Sequence, residues 1–220
     1  MIKALIFDFD GLLMDTETPE VETWQEIFAE HGVAFPLDIW LRDVIGATIS
    51  NFNPATHIAS STGRSVDLAA LQETASTRRL EKLNRIGLLP GVMDILEASR
   101  RLGLRRAIAS SSPRAWVEGH LRRVGLTDSF DAILCREDVT RLKPAPDLFL
   151  AALTALAAPA ADALVFEDSP NGILAANRAG IRAVAVPNPI TKHGNLSGAA
   201  LVLRSLDEFP LEELLGKLEH

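Results

Sequence analysis

Short apolar runs, separated by helical patterns, constrain the fold of this chain more than any other feature. The first run, residues 3–8, is almost unbroken and ends in an acid, as expected for a parallel strand buried on both faces. Similar runs recur at residues 106–110, 130–135, 163–167, 183–186 and 200–203. Because strands and helices alternate from residue 88 onward, the sequence predicts an α/β fold with a doubly wound parallel sheet.

The long interval between the first two apolar runs predicts an inserted helical domain. Helical patterns fill it at Glu20–His31, Leu37–Val44, Asn53–Ser61 and Asp67–Asn84. A crossover between parallel strands needs only about a dozen residues, so roughly 70 residues remain for a separate lobe. We therefore expect an α/β core over residues 1–15 and 88–220 and a helical domain over 16–87.

Composition and charge exclude several classes of protein. The 220 residues are 47% hydrophobic and 23% charged, which is globular usage rather than that of a disordered or collagen-like chain. A net charge of −7 argues against nucleic acid or an anionic membrane as partner, and one cysteine excludes a disulfide framework. No apolar run has the length of a membrane span, and the first segment turns acidic too early for a secretory leader, so we expect a cytoplasmic protein.

Asp8 and Asp10 form the first candidate site, in the motif Asp8-Phe9-Asp10-Gly11. The period of a strand puts both carboxylates on one side, and ligands of open α/β sheets bind at the carboxyl ends of strands. Two close carboxylates require either a bound cation or a shared proton. Mg²⁺ prefers such oxygen ligands, whereas a protonated acid serves a leaving group, and both possibilities stay open here.

Serines and a lysine follow two further strand-like runs. Ser110 begins a run of three serines before Pro113, which we interpret as Ser112 capping a helix that begins at Pro113 and holds an anion. Lys143 lies in Lys143-Pro144-Ala145-Pro146, where the prolines fix the backbone and a helix is expected to begin at Pro146. A lysine held in this way is a suitable point charge for phosphate.

A second acidic strand end completes the constellation. Glu167 and Asp168 close the run at 163–167, and with Asp8 and Asp10 they supply the oxygens of one Mg²⁺ site. Carboxylates and metal on one side, with hydroxyl and ammonium on the other, fit a phosphoryl group between a nucleophile and its charge-neutralising partners. Because no glycine-rich nucleotide loop is present, the expected partner is a small phosphorylated metabolite.

These four motifs, in this order, resemble the haloacid dehalogenase superfamily of phosphatases and phosphomutases. The helical insert after the first motif looks like that superfamily's cap and places the resemblance near the β-phosphoglucomutase-like branch, which implies a Rossmann-like core. We expect a monomer or a weak homodimer.

The resemblance also implies a role for each motif residue. Asp8 would be the nucleophile that forms an aspartyl-phosphate, and Asp10 would protonate the leaving oxygen and then activate water. Gly11, Ser110, Ser111 and Lys143 would bind the phosphoryl group. Mg²⁺ would be held by Asp8, the Asp10 carbonyl and Asp168, with Glu167 either ligating the ion or orienting its waters.

Two departures from the mutase pattern favour a phosphatase. Mutases of this branch carry a histidine where this chain has Glu20, and a cap arginine where it has Ile49. The predicted function is therefore Mg²⁺-dependent hydrolysis of a small phosphomonoester, with a sugar phosphomutase as the alternative. A 2-haloacid dehalogenase fits less well because Asp10 is present, and a non-catalytic phosphate-binding regulator because both aspartates are intact.

Other polar or reactive side chains are expected to have ordinary structural roles. Cys135 and Trp116 are predicted to pack in the core. Arg78 and Lys82 are predicted to lie on a solvated helix face, although either one is a candidate to reach the cleft, as are Asn51 and Asn53.

Overall fold

The computed structural model describes residues 1–43, 52–63 and 65–219, and it contains a six-stranded parallel sheet in the order β3-β2-β1-β4-β5-β6. The strands are β1 (Ala4–Phe7), β2 (Arg105–Ala109), β3 (Ala132–Leu134), β4 (Ala163–Glu167), β5 (Arg182–Ala185) and β6 (Leu201–Val202). All five strand pairings are parallel. The α/β prediction is confirmed, and each predicted run overlaps a strand, although β2 and β5 begin one residue earlier than predicted.

Nine α-helices lie in the described part of the chain. They are α1 (Glu17–Glu30), α2 (Leu37–Asp43), α3 (Pro54–Thr62), α4 (Leu68–Leu83), α5 (Val92–Arg101), α6 (Arg114–Arg123), α7 (Asp147–Leu156), α8 (Pro170–Arg178) and α9 (Leu211–Glu219). Short 3₁₀ turns occupy Arg136–Asp138, Ala160–Asp162 and Thr191–His193. No helix in the described residues is long and apolar enough to cross a bilayer.

The central strand shows why the sheet needs helices on both faces. All four residues of β1 are buried, and alternate residues point into two different apolar clusters. Leu5 and Phe7 belong to one cluster, with Phe7 stacked on Phe166 of β4 at a centroid distance of 5.2 Å. Ala4 and Ile6 belong to the cluster on the opposite face. The unbroken apolar run thus reflects burial on both sides.

The first four of the five helices between β1 and β2, α1 to α4, pack around a third apolar cluster. It includes Trp24 and Phe28 of α1, Trp40 of α2, Ile58 of α3 and Leu71 of α4. These helices occupy the segment in which four helices were expected, although the predicted end of the second at Val44 lies outside the described residues. That residues 16–87 form an independent domain stays a prediction.

Two helix starts differ from the sequence prediction. Pro113 has extended backbone angles (φ −62°, ψ 144°), so it flanks α6, which begins at Arg114, and Ser112 does not cap this helix. Pro146 likewise flanks α7, which begins at Asp147. Each helix therefore begins one residue after the proline at which it was predicted to begin. The freed Ser112 side chain takes part in the site described next.

Candidate active site

Three neighbouring strands of the sheet end beside one another at the candidate site. Asp8 directly follows β1, Ser110 follows β2, and Glu167 is the last residue of β4. The backbone N–H of Asp8 donates to the Phe166 carbonyl at 3.0 Å, which extends the strand pairing to the first acid. β1 lies between β2 and β4, so the sheet order alone brings the acidic and hydroxyl motifs together.

Lys143 joins two of the acids. Its Nζ contacts Oδ1 of Asp8 and lies 2.6 Å from Oε1 of Glu167. All three side chains are buried. Burial alone would lower the pKa of Lys143, but the carboxylates of Asp8 and Glu167 outweigh it and raise that pKa above its ordinary value. The lysine is therefore a fixed positive charge at the nucleophile candidate.

Asp10 is held by four hydrogen-bond donors. Its Oδ1 accepts from Thr16 Oγ1 and from Trp116 Nε1, both at 2.8 Å. Its Oδ2 accepts from Ser112 Oγ at 2.6 Å and from Ser110 Oγ at 3.3 Å. The prediction that Trp116 packs in the core did not include this contact. The indole N–H of a buried tryptophan usually finds a hydrogen-bond acceptor, and that requirement was the available signal.

The carboxylates fit a divalent cation. Asp8, Glu167 and Asp168 are buried and each offers an oxygen, and these oxygens all lie within 4.8 Å of one another. Burial, followed by the charge of Glu17, raises the pKa of Asp168 well above its ordinary value. Dense buried negative charge of this kind is stabilised by a hard cation with oxygen ligands.

The residues at the start of α8 hold the Glu167 side chain in place. Its Oε2 accepts from the N–H and from Oγ of Ser169, both at 3.0 Å. Gly172 leaves the space that the carboxylate fills, because a Cβ there would lie 1.8 Å from Oε1 of Glu167. The Ser-Pro-Asn-Gly sequence after β4 thus positions an acid as well as beginning a helix.

Asn188 and Glu17 are site residues that lie outside all the predicted motifs. Asn188, in the loop after β5, donates from Nδ2 to Oδ2 of Asp168 and to Oε2 of Glu17, both at 2.9 Å. Burial raises the pKa of Glu17 to about 7, against the opposing effect of the Asn188 hydrogen bond. Neither residue belongs to one of the four motifs, and Glu17 had been expected to lie before its helix rather than in it.

The structure brings together seven of the eight predicted site residues around a cavity of about 220 Å³. Its lining comprises Asp8, Asp10, Glu17, Ser110, Ser111, Ser112, Arg136, Lys143, Glu167, Asp168, Ser169 and Asn171. Gly11 is the exception: its N–H donates to the Met14 carbonyl at 2.8 Å, and its positive φ of 80° serves the turn after the first acid. The buried Ser111 Oγ has no hydrogen-bond partner among the described residues.

A second cavity, of about 560 Å³, adjoins Asp10 on the side of the inserted helices. Its lining comprises Asp10, Thr16, Glu17, Glu20, Trp40, Arg79, Leu83, Ser112, Pro113 and Trp116. Glu20 accepts from Arg79 at 2.9 Å and from Trp24 Nε1 at 3.0 Å. The buried Nε1 of Trp40 has no acceptor among the described residues.

The other candidates for the cleft lie elsewhere. Arg78 pairs with Glu30 at 2.6 Å, and Lys82 pairs with Glu26 at 2.6 Å. Both pairs join α4 to α1 on an exposed helix face, which agrees with the prediction of a solvated face for these residues. Asn53 caps α3 by accepting from the Thr56 N–H at 3.0 Å. Ile49 and Asn51 lie outside the described residues.

Comparison with known proteins agrees with this geometry. The family described as haloacid dehalogenase-like hydrolase matches residues 5–186. The protein YhcW of Bacillus subtilis (strain 168) is 43% identical over 218 residues, which cover 99% of this chain and 98% of YhcW. The validoxylamine A 7'-phosphate phosphatase of Streptomyces hygroscopicus subsp. limoneus is 33% identical over 208 residues, covering 94% of this chain and 96% of that protein. A HAD family hydrolase from Deinococcus radiodurans R1, solved with bound phosphate and sodium, matches with a TM-score of 0.79 and 26% identity over 99% of this chain and 96% of that one.

Proposed function

We propose that this chain, which belongs to the haloacid dehalogenase-like hydrolase family and is a phosphoric monoester hydrolase, acts on a small phosphomonoester with Mg²⁺ through an aspartyl-phosphate on Asp8. One observation carries the proposal. Asp8 is buried beside Lys143 and lines the same cavity as Asp10, Ser110 and Ser111. A nucleophile, an acid and phosphoryl-binding groups thus surround one space.

In the first half-reaction, a carboxylate oxygen of Asp8 attacks phosphorus and the ester P–O bond breaks. Asp10 donates a proton to the departing oxygen, which leaves as an alcohol. Lys143, the hydroxyl group of Ser110 and the backbone N–H of Ser111 stabilise the phosphoryl oxygens as negative charge redistributes over them.

In the second half-reaction, water attacks the phosphorus of the aspartyl-phosphate while Asp10 accepts its proton. The bond between phosphorus and Asp8 breaks, inorganic phosphate leaves, and Asp8 and Asp10 return to their initial states. The four donors around Asp10 hold its carboxylate in one orientation for both transfers. Each proton that Asp10 donates is thereby replaced within the same turnover.

Asp8, Glu167 and Asp168 would hold the Mg²⁺ ion, and the Asp10 backbone carbonyl is a further predicted ligand. When bound, the ion supplies charge neutralisation for the phosphoryl oxygens. The cluster supports a divalent cation through its burial and its oxygen-only donor set. Mg²⁺ is the proposal within that class because its preferred ligands are carboxylates and phosphate oxygens.

The second cavity supports a neutral, hydroxyl-rich leaving group such as a sugar or polyol. Its charged groups among the described residues are three carboxylates, Asp10, Glu17 and Glu20, and the Arg79 guanidinium, which is already paired with Glu20. A second phosphate on the substrate would meet net negative charge there, whereas hydroxyl groups can donate to the carboxylate oxygens. The name of the validoxylamine phosphatase relative likewise describes a phosphate ester. The cytoplasmic location and the monomeric or weakly dimeric state remain predictions.

The proposal is tested by measuring phosphate release from a panel of sugar phosphates, polyol phosphates, nucleotides and an aryl phosphate in Mg²⁺. We expect release from at least one sugar or polyol phosphate, its loss in EDTA, and its recovery when Mg²⁺ is restored. Asp8→Asn, purified in parallel, controls for contaminating phosphatases. Activity that persists in EDTA would contradict the metal assignment, and activity that persists in Asp8→Asn would contradict the nucleophile.

A further inference from the structure

We infer that Asn188 is a positioning residue that aligns Asp168 for the divalent cation and anchors Glu17, at the start of the first inserted helix, to the same carboxylate. The inference rests on the proposed metal-dependent function and adds to it a residue outside the four motifs. It follows from the orientation of the Asn188 amide, its two acceptors and the charge around them.

The orientation of the Asn188 amide is determined by its own loop. Its Oδ1 accepts from the backbone N–H groups of Ile190 at 2.8 Å and Thr191 at 2.9 Å. Its own backbone N–H donates to Thr191 Oγ1 at 3.0 Å. Because these N–H groups can only donate, the amide oxygen must face them and the NH₂ group must face the site.

The NH₂ group joins segments that are far apart in the chain. One donor serves Asp168 Oδ2 and the other serves Glu17 Oε2, each at 2.9 Å, with the Gly11 carbonyl more distant at 3.4 Å. Asn188 and Asp168 are buried, at 6% and 2% exposure. An amide with two hydrogens and two carboxylate acceptors uses its whole donor capacity at this point.

A neutral donor suits this position better than a cation would. Two carboxylates that approach one another repel, and a shared N–H donor reduces that repulsion without adding positive charge. The negative charge of the Asp8, Glu167 and Asp168 cluster therefore stays available to a metal ion, while the Asp168 carboxylate is restrained from rotating. Partners that orient metal ligands in this way typically change metal affinity by about 10–100-fold when they are removed.

The test is Asn188→Ser, studied by calorimetric titration of the metal-free protein with MgCl₂ and, in parallel, MnCl₂. A serine at this position still accepts from the loop N–H groups but is too short to reach Asp168 or Glu17. The matched control is Asn195→Ser, because Asn195 is an exposed asparagine that accepts from the Ser197 N–H at 3.1 Å and has no carboxylate acceptor in the described part of the chain.

We expect the Mg²⁺ dissociation constant to rise about 10-fold or more in Asn188→Ser and to stay unchanged in Asn195→Ser. The Mg²⁺ concentration at half-maximal activity should rise in parallel, while kcat at saturating Mg²⁺ stays close to that of the wild type. Thr191→Val removes only the bond from the Asn188 N–H and should weaken Mg²⁺ binding less, which provides a second test if Asn188→Ser fails to fold.

Wild-type affinity in the folded variants would overturn the inference and leave the proposed function intact. Failure of the wild-type protein itself to bind either ion would overturn both, and the two failures are therefore distinguishable.

Discussion

The Nζ atom of Lys143 lies 2.6 Å from Oε1 of Glu167, and both side chains are buried. Since Nζ also contacts Asp8, two buried carboxylates share one ammonium group. Removing a single partner from a buried ion pair typically costs about 3–5 kcal/mol, because the remaining charge stays uncompensated.

Lys143→Met should therefore lower the free energy of unfolding of the metal-free protein by about 3–5 kcal/mol. Denaturant unfolding measures this, with Lys3→Met as the control, since the Lys3 side chain is 70% exposed in its pair with Asp162. The control should lose less than about 1 kcal/mol. An equal, small loss in both variants would contradict the buried-charge account.

Asp8 and Asp10 should fail differently when each is replaced by asparagine. Asp10→Asn retains the nucleophile without its proton donor, so kcat should fall by about 10²–10⁴-fold. Rapid-quench labelling of the wild type with ³²P-substrate should place the phosphoryl group on Asp8, and Asp8→Asn should incorporate no label. A label on Ser110 or on buried Cys135 would be incompatible with the proposed chemistry.

Gly172→Ala should disturb the site without replacing any of the predicted site residues. The added Cβ would lie 1.8 Å from Oε1 of Glu167, whose carboxylate is already fixed by Lys143 and Ser169. Overpacking of this kind costs about 1–3 kcal/mol of stability and should also weaken Mg²⁺ binding.

Gly119→Ala is the matched control for Gly172→Ala. Gly119 lies within α6 and a Cβ there meets no atom within 4 Å, so this change should raise stability by up to about 1 kcal/mol. Thermal unfolding of the two variants in parallel gives the comparison, and a stabilised Gly172→Ala would show that Glu167 moves freely.

His120 should make the protein less stable in mild acid. Burial, followed by the charge of Arg123, lowers the pKa of this histidine, whose ring packs edge-on against Trp116 at 4.4 Å. An unfolded histidine titrates near about pH 6.5, so below that pH the unfolded state binds more protons than the folded state. The His120 contribution is fully present above pH 6.5 and is lost as the pH falls through the lower, folded-state pKa.

The measurement is the free energy of unfolding in metal-free buffer between pH 8 and pH 5 for the wild type and His120→Gln. The advantage of the wild type over the variant should shrink as the pH falls. Parallel profiles for the two proteins would show that His120 has no such linkage.

Much of the fold and part of the site were predictable because both follow from local patterns. Strands buried on both faces are necessarily apolar, and the acids at their ends mark the edge of the sheet where ligands bind. The four motifs thus supplied Asp8, Asp10, Lys143, Glu167 and their neighbours without any knowledge of distances.

The remaining site residues depend on contacts that no local pattern encodes. Asn188 and Glu17 are 171 positions apart in the chain and meet only because the loop after β5 folds against the start of α1. Ser112 was interpreted as a helix cap, since Ser-Pro often has that role. The helix begins one residue later than predicted, and the Ser112 hydroxyl donates to Asp10 instead. Trp116 donates its indole N–H to Asp10, whereas a hydrophobic pattern treats tryptophan simply as an apolar core residue.

The last prediction separates hydrolysis from isomerisation. A mutase must return the phosphoryl group to a rebound sugar phosphate, which requires a cation that grips the second phosphate. In the described part of the chain, Arg79 lines the cavity beside Asp10 and is paired with Glu20, whereas Arg78 and Lys82 pair with acids of α1. A missing phosphate contact of a few kcal/mol corresponds to roughly a hundredfold in bisphosphate affinity.

We therefore expect β-glucose 1-phosphate, supplied with a trace of its 1,6-bisphosphate, to yield inorganic phosphate and no faster formation of glucose 6-phosphate. Coupled assays for the two products on the same sample give the ratio directly. Glu20→Gln frees Arg79 from its partner and removes a negative charge, so it should strengthen inhibition by the bisphosphate because a second phosphate then meets an unpaired guanidinium. Isomerisation that outpaces phosphate release in the wild type would instead show that a cation already present binds the second phosphate, and it would establish the mutase activity.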